Sequence, residues 1–154
     1  MNNYPKVEEV NDCITSGALT SVKAWTTIGG FNEDYFIDLV DSEFSIRMRN
    51  NNFSILRVNE VAMTHEVGES KELKIGKHVI RCTKHSPIRC YYMVRNHFMY
   101  LAKYKSQLNL KFETKMLIHK IVTSIMVADE KKKTIKMMRK GYRDYKKGIT
   151  GKYK

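Results

Sequence analysis

From Ser86 to its end this chain carries helix signals and no strand signals, an asymmetry that limits the folds open to it. Ser86-Pro87 is a helix start, because serine caps the free N–H groups and proline fits the first turn, where its missing N–H costs nothing. Tyr91, Val94, Phe98 and Leu101 then recur at helical spacing and predict a helix to about Tyr104. Two more helical stretches are expected at 111–127 and 130–147, stopped by Gly148 and Gly151.

Before Ser86 the pattern is mixed. Residues 12–20 predict a strand interrupted by Gly17, where the backbone bends or approaches a ligand. Ser21 caps a short helix over 22–27, which ends at Gly29-Gly30. A stronger helix is predicted over 39–50, with Val40, Phe44 and Met48 as its buried stripe and Glu43–Arg47 as an i, i+4 pair. Residues 53–58 and 61–65 predict two short strands joined at Asn59-Glu60, whereas 66–84 has no period and reads as a long loop. Strands mixed with helices and then helices alone indicate an α/β fold: a partial domain followed by an α-helical C-terminal extension. At 154 residues there is room for one modest core, or for a small domain plus that extension.

Charge divides the chain at nearly the same place. Residues 1–102 hold 12 Lys/Arg and 12 Asp/Glu, while residues 103–154 hold 16 against 4, so the net charge of +12 belongs to the tail. An anionic partner, lipid or nucleic acid, is therefore expected to meet the tail. The three cysteines, Cys13, Cys82 and Cys90, have no C-x-x-C spacing and read as reduced structural thiols. No apolar run approaches the ~20 residues that span a bilayer. Met1 to Pro5 has neither the basic nor the apolar region of a signal peptide, which predicts a cytoplasmic protein.

Three motifs in order carry a family resemblance. The first is Ser16-Gly17, then Trp25, then Gly29-Gly30-Phe31-Asn32-Glu33-Asp34-Tyr35-Phe36-Ile37-Asp38-Leu39-Val40-Asp41-Ser42-Glu43-Phe44 and Arg47. The second is His65-Glu66-Val67-Gly68, of H-x-x-G form. The third runs from His85-Ser86-Pro87 through Arg89, Tyr91-Tyr92 and Arg95-Asn96. Together, over residues 12–104, they resemble the acceptor-side, C-terminal half of bacterial family 2, GT-A-type (Rossmann-like) glycosyltransferases, closest to the rhamnosyltransferase-like members. On that resemblance residues 1–86 are the C-terminal half of a GT-A domain and 87–154 a basic helical extension.

The resemblance implies an inverting transfer of a sugar, rhamnose by analogy, from a nucleotide-sugar donor to a glycan or lipid-linked acceptor. Such a reaction needs a base for the acceptor hydroxyl and positive charge for the departing diphosphate. Asp41 matches the family's base, in the first turn of a helix on the side away from the Val40/Phe44/Met48 stripe. Many members place a glutamate before this aspartate; here Val40 stands there, and Asp38 or Glu43 is expected to make up the charge. His65 matches a histidine that helps bind a divalent metal or the diphosphate. Arg89, Tyr92 and Asn96 share a helix face, with Arg95 at its edge and His85 one turn before, and that face suits either phosphate and sugar oxygens or a helix–helix interface in which these groups satisfy one another. Gly17, Asp38 and Glu43 complete the expected substrate-binding set. Trp25 reads as core rather than as a platform for a sugar ring.

In the family a donor-binding half precedes this region and ends in a D-x-D-like carboxylate pair that holds the metal. No such half precedes Asn11, and Asp41-Ser42-Glu43, the one D-x-(D/E) present, fits the base better than the metal pair. A divalent metal, Mg or Mn, is thus expected only in the complete enzyme, and this chain alone is expected to be inactive. The edge left for the missing half predicts self-association. Lys131-Lys132-Lys133, Lys136, Arg139-Lys140, Arg143 and Lys146-Lys147, interleaved with Ile135, Met137, Met138 and Tyr142, predict a basic amphipathic helix. That helix suits an anionic membrane surface, at the inner face of the plasma membrane. Nucleic acid is the weaker partner class, since the tail has little aromatic interleaving and no zinc-finger or RNP signature.

Overall fold

The structure, a computed structural model, describes residues 5–65, 70–75 and 78–154, and not the side chains of 70, 73–75, 78 and 80. The first four residues and the Glu66-Val67-Gly68 end of the H-x-x-G motif lie outside it. Strands and helices are both present. In chain order they are β1 (Val7–Glu9), α1 (Val22–Ile28), α2 (Val40–Asn50), β2 (Leu56–Val58), β3 (Ser70–Ile75), β4 (His78–Thr83), α3 (Pro87–Tyr104), α4 (Leu110–Val127) and α5 (Lys131–Lys146). They divide into two compact units, one of residues 5–33 and 40–65, the other of 34–39 with 70–75 and 78–154. This division follows packing, whereas the boundary expected at residue 86 follows motifs; the β3–β4 pair falls with the helices.

The first unit is built on α1 and α2 with the antiparallel pair β1–β2, Val7 standing opposite Val58. Ser21 Oγ accepts from Ala24 N at 3.1 Å, and Gly29, at φ 76°, closes α1 with its N–H directed at the last carbonyls. Gly30 has a second reason to be glycine: a Cβ there would stand 2.8 Å from the Trp25 ring. Ala24, Phe44 and Met48 form the core with Ile28, Phe53 and Ile55 around them. Trp25 packs edge-on to Phe31 and against Phe44, with ring centres 5.0 and 5.7 Å apart, but it is 40% exposed and so caps the edge of this core instead of lying within it.

The second unit is organised by α3. Ser86 Oγ accepts from Arg89 N, and Cys90, Met93 and Val94 pack against Met138 of α5, with Phe98, Ile121 and Ile125 alongside. The two helices approach closely at Gly141, where a Cβ would meet the Tyr91 carbonyl oxygen at 2.4 Å. Across the same contact Tyr91 Oη donates to Asp144 Oδ2 at 2.9 Å. Burial first, and this bond to a carboxylate second, push the Tyr91 hydroxyl up to about 12.

Three expectations are corrected. Residues 12–20 form a turn and extended coil, not a strand. There Gly17 takes φ 72° and packs against Met63, whose sulfur would lie 3.1 Å from an added Cβ. Residues 61–65 are not a strand either, and the second half of 53–58 alone pairs, with β1. The expected loop 66–84 instead contains β3 and β4, paired antiparallel from Ser70↔Thr83 to Ile75↔His78. Their apolar alternation is short, Leu73 and Ile75 in one strand and Ile80 and Cys82 in the other, and charge lies between: Glu72 bonds Arg81 across the strands, while Lys71 and Lys84 both reach Asp129.

Candidate active-site residues

In the first unit Asp41 sits in the first turn of α2, half-buried. Thr15 holds one of its oxygens, donating from Oγ1 to Oδ1 at 2.7 Å and from its N–H to the same oxygen at 3.3 Å. Among the described residues nothing bonds Oδ2. A carboxylate fixed through one oxygen keeps the lone pairs of the other for an incoming proton. Ser42, next in the chain, donates to Asp12 Oδ2 at 2.7 Å, and the coil that was expected to be a strand thus becomes the wall that orients Asp41. Beside it the Cys13 thiol is pushed up by burial and then by the charges of Asp12 and Asp41. Ser16 Oγ and His65 Nε2 are hydrogen-bonded at 3.2 Å on the exposed surface of this unit.

Glu43, by contrast, is fully buried. Its Oε2 takes the Arg47 Nε–H at 2.7 Å and its Oε1 the Asn32 amide at 3.2 Å. Arg47 spends its other donors on the carbonyls of Ile28 and Gly30, at 2.6 and 2.8 Å. The expected substrate carboxylate is therefore the centre of a clamp that ties the Gly29-Gly30 turn to α2. Gly17 likewise serves its turn.

In the second unit the segment 34–39 is held in a costly conformation. Phe36, Asp38 and Leu39 have φ of 58°, 68° and 60°, left-handed values that cost a non-glycine residue about 1–2 kcal/mol each. Asn96 and Arg95 hold it there. Asn96 Nδ2 reaches the carbonyls of Tyr35, Ile37 and Asp38 at 2.7, 2.6 and 3.1 Å, and its Oδ1 accepts from Arg95 Nε at 3.0 Å. Arg95 donates to Gly151 O at 2.7 Å and to Asp34 O at 3.0 Å, with its guanidinium over the Tyr91 and Tyr92 rings. The C-terminal residues close the far side: Gly151 N–H donates to Asp34 O, and Tyr153 N–H to Tyr92 Oη at 2.6 Å. Arg95, Asn96 and Tyr92 were expected to meet substrate, but they are buried and satisfied, and they grip backbone.

Two members of the expected set keep faces open. Arg89 is well exposed, with its Nε 3.4 Å from Asp38 Oδ2, a charge contact without hydrogen-bond alignment. Asp38 Oδ2 is itself buried and accepts no hydrogen bond among the described residues. His85 is held below the usual imidazole range by burial, then by Arg89, with Lys120 adding to the effect and Asp38 opposing it. Its ring is therefore neutral at pH 7. For a divalent metal the described residues do not suffice: they hold no group of three His, Cys, Asp or Glu side chains, and His65 would bring one ligand.

A curated protein, dTDP-rhamnosyl transferase RfbF of Shigella flexneri, is 34% identical to this chain over 141 residues, which is 90% of this chain and 46% of that protein. Over that stretch the chain is similar to a rhamnosyltransferase. It spans about half the length of that relative, and the resemblance to a C-terminal half holds. No family model and no solved structure matches this chain. The Arg95/Asn96 clamp was missed in the sequence because the groups it binds are backbone carbonyls about sixty positions away, with no side-chain signature.

Proposed function

We propose that this chain is the acceptor-side part of an inverting glycosyltransferase of GT-A type and that Asp41 is its general base. The observation that carries the reading is the half-buried Asp41 carboxylate, tethered through Oδ1 by Thr15 with Oδ2 unengaged. In the reaction Oδ2 takes the proton of the acceptor hydroxyl as that oxygen bonds to the anomeric carbon. The bond from that carbon to the nucleotide diphosphate breaks, and the leaving oxygen departs with the electron pair. Arg89 supplies an exposed cation for a substrate oxygen. Glu43, Arg95, Asn96 and Tyr92 act as positioning residues that hold turns and backbone.

The relative's name makes dTDP-rhamnose the first donor to try. The test reunites the chain with a donor-binding half and measures transfer to glycan acceptors. Asp41→Asn should lower kcat about 10²–10⁴-fold, with KM and melting temperature nearly unchanged. Unchanged turnover would remove Asp41 from the mechanism.

A further inference from the structure

Helices α3, α4 and α5 enclose a groove of about 810 Å³. Phe98, Ile121, Ile125 and Ile135 give it an apolar floor, and Lys132, Lys136, Arg139 and Arg143 line its α5 side. None of these four cations has an ion-pair partner among the described residues, whereas Lys133 and Lys140, also on α5, pair with Glu130 and Asp144. On the α4 side the apolar surface does not stop at the lip. Ile118, Val122 and Met126 follow one another at i, i+4 and i+8, beside Ile121 and Ile125 on the helix, and are 56%, 49% and 40% exposed. Phe112, at 57%, lies one to two turns earlier.

An uncovered apolar helix face bordered by unpaired cations is the chemistry of a surface made for anionic amphiphiles. We infer that this face of α4 and α5 docks the chain on an anionic lipid bilayer. The α4 side chains enter the boundary between headgroups and acyl chains, and the α5 cations take the lipid phosphates. No described helix is long and apolar enough to cross a membrane, so contact lies in the interfacial plane. Charge also argues against a second copy as occupant, because a two-fold pairing would bring one cationic rim against the same rim. The tail's 16 basic against 4 acidic residues point the same way.

The test is flotation of the full chain with vesicles of phosphatidylcholine alone and of an equal mixture with phosphatidylglycerol. Binding should require phosphatidylglycerol and weaken with added salt. Lys136→Ala with Arg139→Ala should weaken it about 30-fold, roughly fivefold per cation removed. Ile118→Ser with Val122→Ser should weaken it at constant charge, with circular dichroism unchanged in both variants. Equal binding to neutral vesicles, or none to either, overturns the inference. So does competition by millimolar sn-glycerol 3-phosphate, which would mark a free-phosphate site, or equally tight binding of polyglutamate, which would mark an acidic protein partner. None of these outcomes depends on the role of Asp41.

Discussion

The two units spend the polar residues of their motifs differently. In the first, Asp41 is tied through one oxygen by a single neighbour, and His65 meets Ser16 in an exposed bond. In the second, Arg95 and Asn96 are wholly buried and bind the carbonyls of Asp34, Tyr35, Ile37, Asp38 and Gly151. A polar group held by few bonds and half open to solvent remains available for chemistry. A buried group whose donors all have acceptors stabilises a shape, because removing it strands those acceptors without water. Glu43 shows that the contrast follows burial rather than unit: it lies two residues past Asp41 on the same helix and behaves like Arg95.

The contrast breaks most visibly at Arg95. Arg95→Met keeps the bulk but leaves the Gly151, Asp34 and Tyr35 carbonyls short of donors, and should cost about 3–5 kcal/mol by denaturant melting. A loss below about 1 kcal/mol would return Arg95 to the pool of substrate-facing residues. Glu43→Gln is the equivalent test in the first unit. It removes the charge facing Arg47 while keeping the shape, and about 2 kcal/mol of stability should go with it.

Acid should act next, and on the second unit. Burial and the nearby cations depress His85 (Arg89 and Lys120, against Asp38), and burial with Lys120 depresses His97, whose Nε2 lies 3.1 Å from the Glu113 carbonyl oxygen. Both rings are neutral in the folded chain at pH 7. As pH falls below about 6.5, the unfolded chain binds protons that the folded chain refuses. Stability therefore declines with falling pH until the folded rings protonate. Melting curves between pH 7.5 and 5 should show that decline, and His97→Gln should flatten part of it. The smallest effect on stability belongs to Thr15→Val, which removes the shorter of the two bonds to Asp41 Oδ1 and leaves the backbone one. Stability should change by less than about 1 kcal/mol, while transfer by the reunited enzyme falls about tenfold. The reverse result, a large loss of stability with intact turnover, would make Asp41 another structural carboxylate.

What the amino-acid sequence determined by itself is local. The helices and their ends follow from Ser21, Gly29 and Ser86-Pro87, because a cap acts on N–H and C=O groups within four residues of it. The stripe Phe44/Met48 and the place of Asp41 at a helix start were legible for the same reason. The β3–β4 pair was not, since its apolar alternation is confined to two residues a strand, Leu73/Ile75 and Ile80/Cys82, and each strand exists through its partner. Nor was the coil at 12–20, which a glycine at positive φ and the side chain of Met63 shape from a distance. Tertiary structure alone decided which motif residues face outward. Asp38 is left-handed because Asn96, 58 positions away, holds its carbonyl, and Arg95 is structural because its acceptors converge from Asp34 and Gly151. Burial is a property of what folds over a residue, and no spacing within one helix encodes it.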